Sequence, residues 1–169
     1  MATPLRLAGV IRESIVDGPG WRFVVFAQGC KHNCEGCHNP ETHDMNGGYE
    51  SSAERIIEAV KADKLLKGVT LSGGDPFEQA ENFSVLAKMV HDLGLDIVTY
   101  TGYTFEQLYK GMAKNEGWKH LLEQTDILID GKFILAKKSL NCKFRGSTNQ
   151  RVLDSKKSLA TGKAVEIEI

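Results

Sequence analysis

Residues 22–40 read RFVVFAQGCKHNCEGCHNP, a hydrophobic hexapeptide that runs directly into a cysteine-rich loop. The hexapeptide Arg22–Ala27 consists largely of β-branched and aromatic residues, which predicts a buried strand. Cys30, Cys34 and Cys37 follow it with CxxxCxxC spacing, so one short loop supplies three thiolates. This combination predicts a ligand-binding loop at the end of a strand.

Further strands and helices alternate along the rest of the chain. Apolar residues recur at i, i+3, i+4 and i+7 in the predicted helices, the spacing of one buried helical face. Strands are predicted at 5–11, 22–27, 68–71, 96–100 and 126–129, and helices at 51–65, 79–93 and from Thr104 onwards. The later strands begin about thirty residues apart, the length of a βα unit. This favours an α/β fold with a mostly parallel sheet, arranged as a partial, open βα barrel because an eight-fold barrel needs more units.

The composition is that of a single soluble domain. The chain has 169 residues, with 21 Lys and Arg against 22 Asp and Glu, so no charge excess calls for nucleic acid or an anionic membrane. No stretch approaches the roughly 20 apolar residues of a spanning helix, and the first residues lack the apolar segment of a secretion signal. We therefore expect a cytoplasmic protein. Residues 154–163 are polar and predict a loop, whereas 165–169 alternate as in an edge strand.

The cysteines indicate a metal site. Without a signal for secretion, a disulfide framework is not expected. Zinc would take four ligands in a closed tetrahedron, the fourth being His32, His38 or His43. An iron–sulfur cluster on three cysteines would instead leave one iron open to a substrate, with His32 and His43 as solvated loop residues. The spacing alone leaves both open, and Cys142, far along the chain, is predicted to be a free thiol.

Three other unusual segments also follow predicted strands. They are SGGDP at 72–76, TGY at 101–103 and DGKF at 130–133. Ligands in parallel α/β sheets bind at the carboxyl ends of the strands, where these segments should meet the cysteine loop. Gly73 and Gly74 would let backbone approach a ligand closely, and Asp75 would add a carboxylate able to orient an amine. This convergence favours a functional cluster over a structural zinc knuckle.

These motifs resemble a known superfamily. CKHNCEGCHNP together with SGGDP resembles the radical S-adenosylmethionine (SAM) enzymes, and SIVDGPGWRFVVFAQGC at 14–30 is similar to their glycyl-radical-enzyme activases. TGYTFEQL, DILIDGKF and FRGSTNQR resemble the branch that activates anaerobic ribonucleoside-triphosphate reductase. The resemblance covers about 9–154, which makes 1–169 a single radical SAM domain with a tail at 155–169.

The resemblance implies a cluster and a cofactor. Cys30, Cys34 and Cys37 would hold three irons of a [4Fe–4S] cluster, and SAM would chelate the fourth. Many members carry an aromatic residue where this chain has Gly36, so backbone around that position would contact the adenine instead. The implied cofactor-binding residues are Gly36, Cys37, His38, Gly73, Gly74 and Asp75.

The implied activity is radical generation on a protein. Reductive cleavage of SAM to a 5′-deoxyadenosyl radical would generate a glycyl radical on the large subunit of the reductase, with electrons from a flavodoxin- or ferredoxin-like donor. The cofactors carry this chemistry, so no side chain is assigned as catalytic. The roles of Arg145, Asn149, Gln150 and Arg151 stay open between cofactor contact, docking on the reductase and a hydrogen-bonded loop. The alternatives are an activase of another glycyl radical enzyme, such as pyruvate formate-lyase, or a non-catalytic zinc-binding module.

Overall fold

The computed structural model describes residues 2–32, 34 and 43–168. The strands within these ranges are β1 (Pro4–Ser14), β2 (Arg22–Ala27), β3 (Tyr49–Ser52), β4 (Gly68–Gly73), β5 (Asp96–Tyr100), β6 (Ile127–Asp130) and β7 (Arg151–Asp154). The helices are α1 (Ala53–Lys61), α2 (Ala80–Asp92), α3 (Phe105–Gly111), α4 (Glu116–Gln124) and α5 (Ser155–Thr161). In this part of the chain no helix has the length and apolar character needed to cross a bilayer.

The described strands form one sheet in the order β3-β1-β2-β4-β5-β6-β7. The central strands β2, β4, β5 and β6 are parallel to one another. At the margins, β1 is antiparallel to both β2 and β3, and β7 is antiparallel to β6. The sequence prediction of an α/β fold with a mostly parallel sheet is therefore confirmed, with antiparallel strands added at both margins.

All the described α-helices pack on one face of the sheet. Phe23 and Val25 of β2 point into the same core as the apolar faces of α1 to α4, with Leu159 of α5 packed against it. The alternate residues of the strands lie on the other face, where Val98 and Ile129 form a small second cluster. Because successive strand residues point to opposite faces, one face is filled by helices and the other is left to line a cavity.

The start of the first helix differs from the sequence prediction. Ser51 pairs with Leu5 in the ladder between β1 and β3, so its backbone belongs to a strand. The helix begins after Ser52, whose hydroxyl accepts a hydrogen bond from the backbone N–H of Arg55 at 3.2 Å. The predicted helix start at residue 51 is two residues too early, because strand pairing with a distant segment takes precedence over local helix propensity.

The C-terminal region is also more regular than predicted. Residues 154–163 were expected to form a loop, but helix α5 occupies Ser155–Thr161. Asp154 caps its first turn, and Gly162 ends it with a φ of 72°. Ser155 is fully buried and donates a hydrogen bond to the Leu122 carbonyl at 3.1 Å. This helix was not predicted because its sequence is polar. Its buried face consists of serines, whose hydrogen-bond partners are present only in the folded chain.

Candidate functional site

A cavity of about 1110 Å³ lies over the face of the sheet opposite the described α-helices and reaches the carboxyl ends of the central strands. Residues that follow four neighbouring strands line it, among them Cys30 after β2, Gly74 after β4, Thr101 after β5 and Gly131 after β6. The motifs that the sequence places at successive strand ends therefore meet in one space. This is the edge at which parallel α/β proteins bind their ligands.

The cysteine loop contributes two described thiols to this cavity. Cys30 and Cys34 both line it and are half-buried. His43, predicted to be solvated, is half-buried and lines the same cavity, and its carbonyl accepts a hydrogen bond from the Cys30 N–H at 3.3 Å. The other residues predicted for this loop, Gly36, Cys37 and His38, lie outside the described residues.

A set of three metal ligands is not assembled within residues 2–32, 34 and 43–168, where no group of three or more His, Cys, Asp or Glu side chains could hold a metal ion. His32 and His43 therefore do not join Cys30 and Cys34 as a third described ligand. Cys142 is a free cysteine, as predicted, and it lines the same cavity without completing such a group. Cys30 and Cys34 thus bring to the cavity two thiols, the ligand type that iron–sulfur clusters use.

The loop after β4 is joined tightly to the end of β2. The N–H of Gly74 donates to the Ala27 carbonyl at 2.7 Å, and the N–H of Asp75 donates to the Gly29 carbonyl at 2.8 Å. Gly73 has a φ of 94°, and a Cβ there would lie only 2.4 Å from the backbone nitrogen of Ala27. Only glycine fits at this position, because any side chain would collide with the backbone of β2. Gly73 and Gly74 both line the cavity.

Asp75 has a different environment from the one its motif suggests. Its side chain is fully buried, and it accepts hydrogen bonds from the Phe77 N–H at 3.0 Å and from the Gly102 N–H at 3.0 Å. The Thr101 hydroxyl donates to the same carboxylate at 2.9 Å, and His32 Nε2 lies 2.6 Å from Oδ2. The carboxylate thus binds groups of the protein itself. His32, expected to be solvated, has a side chain that is only 6% exposed, so that prediction is wrong.

The pairing of His32 with Asp75 was not predicted from the sequence, in which His32 was a candidate zinc ligand or a solvated loop residue. Its partner Asp75 is 43 residues away, and local sequence carries no information about such a pair. One feature of the sequence did indicate this contact: the SGGDP and TGY segments follow β4 and β5, which are adjacent parallel strands. Since β2 pairs with β4, the loop after β2 begins beside these segments.

The segment FRGSTNQR forms a hydrogen-bonded loop beside the cavity. Gln150 accepts hydrogen bonds from the backbone amides of 146–147 and donates one to the Gly131 carbonyl at 2.9 Å. Asn149 donates to the carbonyl of Lys132 at 2.9 Å. Arg145 donates to the Gln150 carbonyl at 3.2 Å, and Arg145 and Gln150 both line the cavity. These side chains hold the loop in place.

Arg151 supports the fold away from the cavity. Its guanidinium binds Asp130, which is almost fully buried, with Nε to Oδ1 at 3.0 Å, and it also binds Glu106. Hydrogen bonds from Arg151 lower the pKa of Glu106, and those to Asp130 and Glu106 raise the pKa of Arg151. Asp130 also accepts the Phe105 N–H at 2.7 Å. Arg151 thus joins β6, β7 and the start of α3.

Tyr100 ties the loop to the sheet, and its contribution to stability is expected to depend on pH. Its hydroxyl donates to the Phe144 carbonyl at 2.6 Å, and burial raises its pKa above the ordinary value of 10.0. A raised pKa in the folded state means that this stabilisation is complete below pH 10 and is lost as the pH rises further. At about pH 8, Tyr100→Phe should lower the free energy of unfolding by about 1 kcal/mol.

The measurement is urea unfolding of the native chain and of Tyr100→Phe at about pH 8 and about pH 11, where the difference should shrink. Tyr49→Phe is the matched control, because Tyr49 is 45% exposed and should show little difference at either pH. A Tyr100→Phe difference that grows with pH would contradict the assignment.

Comparison with known proteins places the chain in a family. A family model described as a 4Fe-4S single cluster domain matches residues 16–153. The chain is 35% identical over 145 residues to the anaerobic ribonucleoside-triphosphate reductase-activating protein of Vibrio cholerae, covering 80% of this chain and 89% of that protein. The chain belongs to this family of activating proteins. The match begins just before the DGPG turn at 17–20 and ends within β7, so the 4Fe-4S domain includes the ends of β2, β4, β5 and β6 that line the cavity.

Other relatives agree with this assignment. The protein of the same name from Escherichia coli K12 is 33% identical over 147 residues, covering 82% of this chain and 91% of its own. The protein of the same name from Enterobacteria phage T4 is 35% identical over 145 residues, covering 81% of this chain and 86% of the phage protein. Among solved structures, QueE from Escherichia coli aligns with a TM-score of 0.48 and 14% identity, covering 60% of this chain and 53% of its own. The assignment rests on the sequence relatives, and this activating enzyme carries a 4Fe-4S domain.

Proposed function

We propose that this protein activates an anaerobic ribonucleoside-triphosphate reductase by generating a glycyl radical on its large subunit, using a [4Fe–4S] cluster and SAM. The observation that carries the proposal is that Cys30, Cys34, Gly73 and Gly74 line one cavity at the carboxyl ends of the parallel strands. The reductase is proposed as the target because the relatives of the chain are named for activating it.

The residues of the chain fit this pair of groups. Cys30, Cys34 and Cys37 would hold the cluster, and Gly36, His38, Gly73 and Gly74 would contact SAM. When bound, the cluster and SAM would supply the chemistry: one electron from the cluster would cleave the sulfonium to methionine and a 5′-deoxyadenosyl radical able to take a hydrogen atom from a glycine Cα of the reductase. The chain itself binds and orients, and Asp75 contributes by holding the loops around the site.

The size and openness of the cavity suit a protein substrate. Pockets for small molecules usually measure about 300–1,000 Å³, so about 1110 Å³ leaves room for a cofactor together with a short segment of another chain. The margin strands β3 and β7 are not paired with each other in the described sheet. We propose that the sheet acts as a partial βα barrel whose open side admits the glycine-bearing segment.

The competing functions have less support. The relatives favour the reductase over another glycyl radical enzyme such as pyruvate formate-lyase. The zinc module loses two of its candidate fourth ligands, because neither His32 nor His43 groups with Cys30 and Cys34. We propose a flavodoxin- or ferredoxin-like protein as the electron donor and the cytoplasm as the location.

The test is anaerobic reconstitution with iron and sulfide, followed by reduction and electron paramagnetic resonance with and without SAM. A [4Fe–4S] signal that changes when SAM is added would support an open iron. Addition of the reductase large subunit should then produce a glycyl radical signal, which should be absent when its radical-bearing glycine is replaced by alanine. About one zinc per chain and no cluster signal would overturn the proposal.

A further inference from the structure

His32 is buried although it lies in the middle of the cysteine loop. It stands two residues from Cys30 and two from Cys34, yet only 6% of its side chain is exposed. We propose that His32 is a positioning residue that anchors the cysteine loop to the loops after β4 and β5. The value of this anchor for SAM binding rests on the proposed function, whereas the anchoring itself is a property of the chain alone.

The first contact is with the loop after β4. Nε2 of His32 lies 2.6 Å from Oδ2 of Asp75, and it donates because the carboxylate can only accept. Asp75 is itself held by the Thr101 hydroxyl and by the Gly102 N–H. At His32 the chain is therefore bonded to a carboxylate that other groups of the protein also hold in place, which makes the bond effective for positioning.

The second contact is with the loop after β5. A Cβ added to Gly102 would lie 2.4 Å from Cδ2 of His32, so the ring occupies the space that any other residue at 102 would fill. On its other side the ring meets Tyr103 edge-on, with centroids 4.5 Å apart. Glycine in the TGY segment thus makes room for the imidazole.

These contacts join the three motifs that the sequence presents separately. The cysteine loop, SGGDP and TGY each follow a different strand, and His32 touches the last two from within the first. Cys30 and Cys34 flank the anchored residue on both sides. Without the anchor, the loop would keep the backbone hydrogen bonds at Gly29 and Cys30 but lose its side-chain link to the loops after β4 and β5, so Cys30 and Cys34 would be held less firmly relative to Gly73 and Gly74.

The first test uses the metal-free protein. Cys30 and Cys34 are alkylated with iodoacetamide, and each rate is read by peptide mass spectrometry. In His32→Ala both rates should rise about tenfold, the size expected from loss of one charge-assisted hydrogen bond. Cys142 serves as an internal reference whose rate should not change. His32→Gln, whose amide nitrogen can donate to Asp75, should return the rates towards the native value.

A second variant distinguishes loss of the anchor from general unfolding caused by removing the imidazole. Gly102→Ala forces the ring from its place while leaving His32 itself intact, and it should raise the Cys30 and Cys34 rates in the same way. His120→Ala is the matched control, since His120 is 43% exposed and binds Glu81 on the surface. Its alkylation rates should equal those of the native chain.

The reconstituted protein gives an independent reading. In His32→Ala the SAM concentration that produces half of the change in the resonance spectrum should rise about tenfold. The rate of 5′-deoxyadenosine formation at saturating SAM should change less. Native alkylation rates in both His32→Ala and Gly102→Ala would overturn the anchor. If the native protein shows no response to SAM, the proposed function fails, and the alkylation result still decides whether His32 anchors the loop.

Discussion

Cys34→Ala is expected to lose the cluster and all production of 5′-deoxyadenosine. Cys34 lines the cavity together with Cys30, and replacing its thiol removes one of three proposed sulfur donors. Loss of groups that only support a ligand already costs 10- to 100-fold, so loss of a ligand itself should cost more than about 100-fold. The measurements are iron and sulfide per chain after reconstitution, and product formation with SAM and a chemical reductant. Cys30→Ala and Cys37→Ala should behave alike.

Cys142→Ser is the matched control for these variants. Cys142 lines the same cavity but does not group with Cys30 and Cys34 into a metal site within the described residues. We expect native iron content and native turnover. Loss of cluster iron in Cys142→Ser would contradict the model of an open iron, because it would make Cys142 a fourth ligand. Full activity in Cys34→Ala would remove Cys34 from the ligand set.

Arg22→Ala is expected to give the largest loss of stability. Arg22 is fully buried at the start of β2, and its Nε donates to the Thr70 hydroxyl at 2.7 Å. Its other nitrogens donate to the Pro19 carbonyl at 3.0 Å, to the Val69 carbonyl at 3.1 Å and to the carboxylate of Asp96 at 2.5 Å. One side chain therefore joins the DGPG turn to three neighbouring strands.

Removing this guanidinium leaves several acceptors without a donor. Breaking a buried ion pair on one side costs about 3–5 kcal/mol, and the lower end applies here because the Asp96 side chain is 30% exposed. We therefore expect the free energy of unfolding to fall by about 3 kcal/mol, read from urea unfolding of the metal-free protein. A fall of that size is a large part of the stability of an ordinary domain.

Arg12→Ala is the control for the arginine variant. Arg12 is exposed on β1, so its loss should change the free energy of unfolding by less than about 0.5 kcal/mol. Similar values for Arg22→Ala and Arg12→Ala would contradict the structural role of Arg22. Arg22→Lys should be intermediate, because an ammonium keeps the charge but lacks the planar fork of donors.

Local patterns in the sequence were sufficient for the regular elements near the core. β2 and β5 have the predicted bounds, and the capping box of Thr104 and Gln107 is present at the start of α3. Propensity, periodicity and capping act over a few residues, so they can be read without the fold. The rule that ligands bind at the carboxyl ends of parallel strands then placed the cysteine loop and SGGDP at one edge.

The tertiary structure decided the partners of polar side chains. From its motif, Asp75 was predicted to orient an amine of the ligand. In the structure its carboxylate is hydrogen-bonded to His32, Thr101 and Gly102. Strand pairing places the N-cap of α1 at Ser52, and buried serines stabilise helix α5 in the polar tail. The sequence by itself determined the alternation of strands and helices and the chemistry carried by each loop. Which side chains face a ligand and which hold the loops depends on residues far apart in the chain, because a buried polar group takes whatever partner the fold brings within hydrogen-bonding distance.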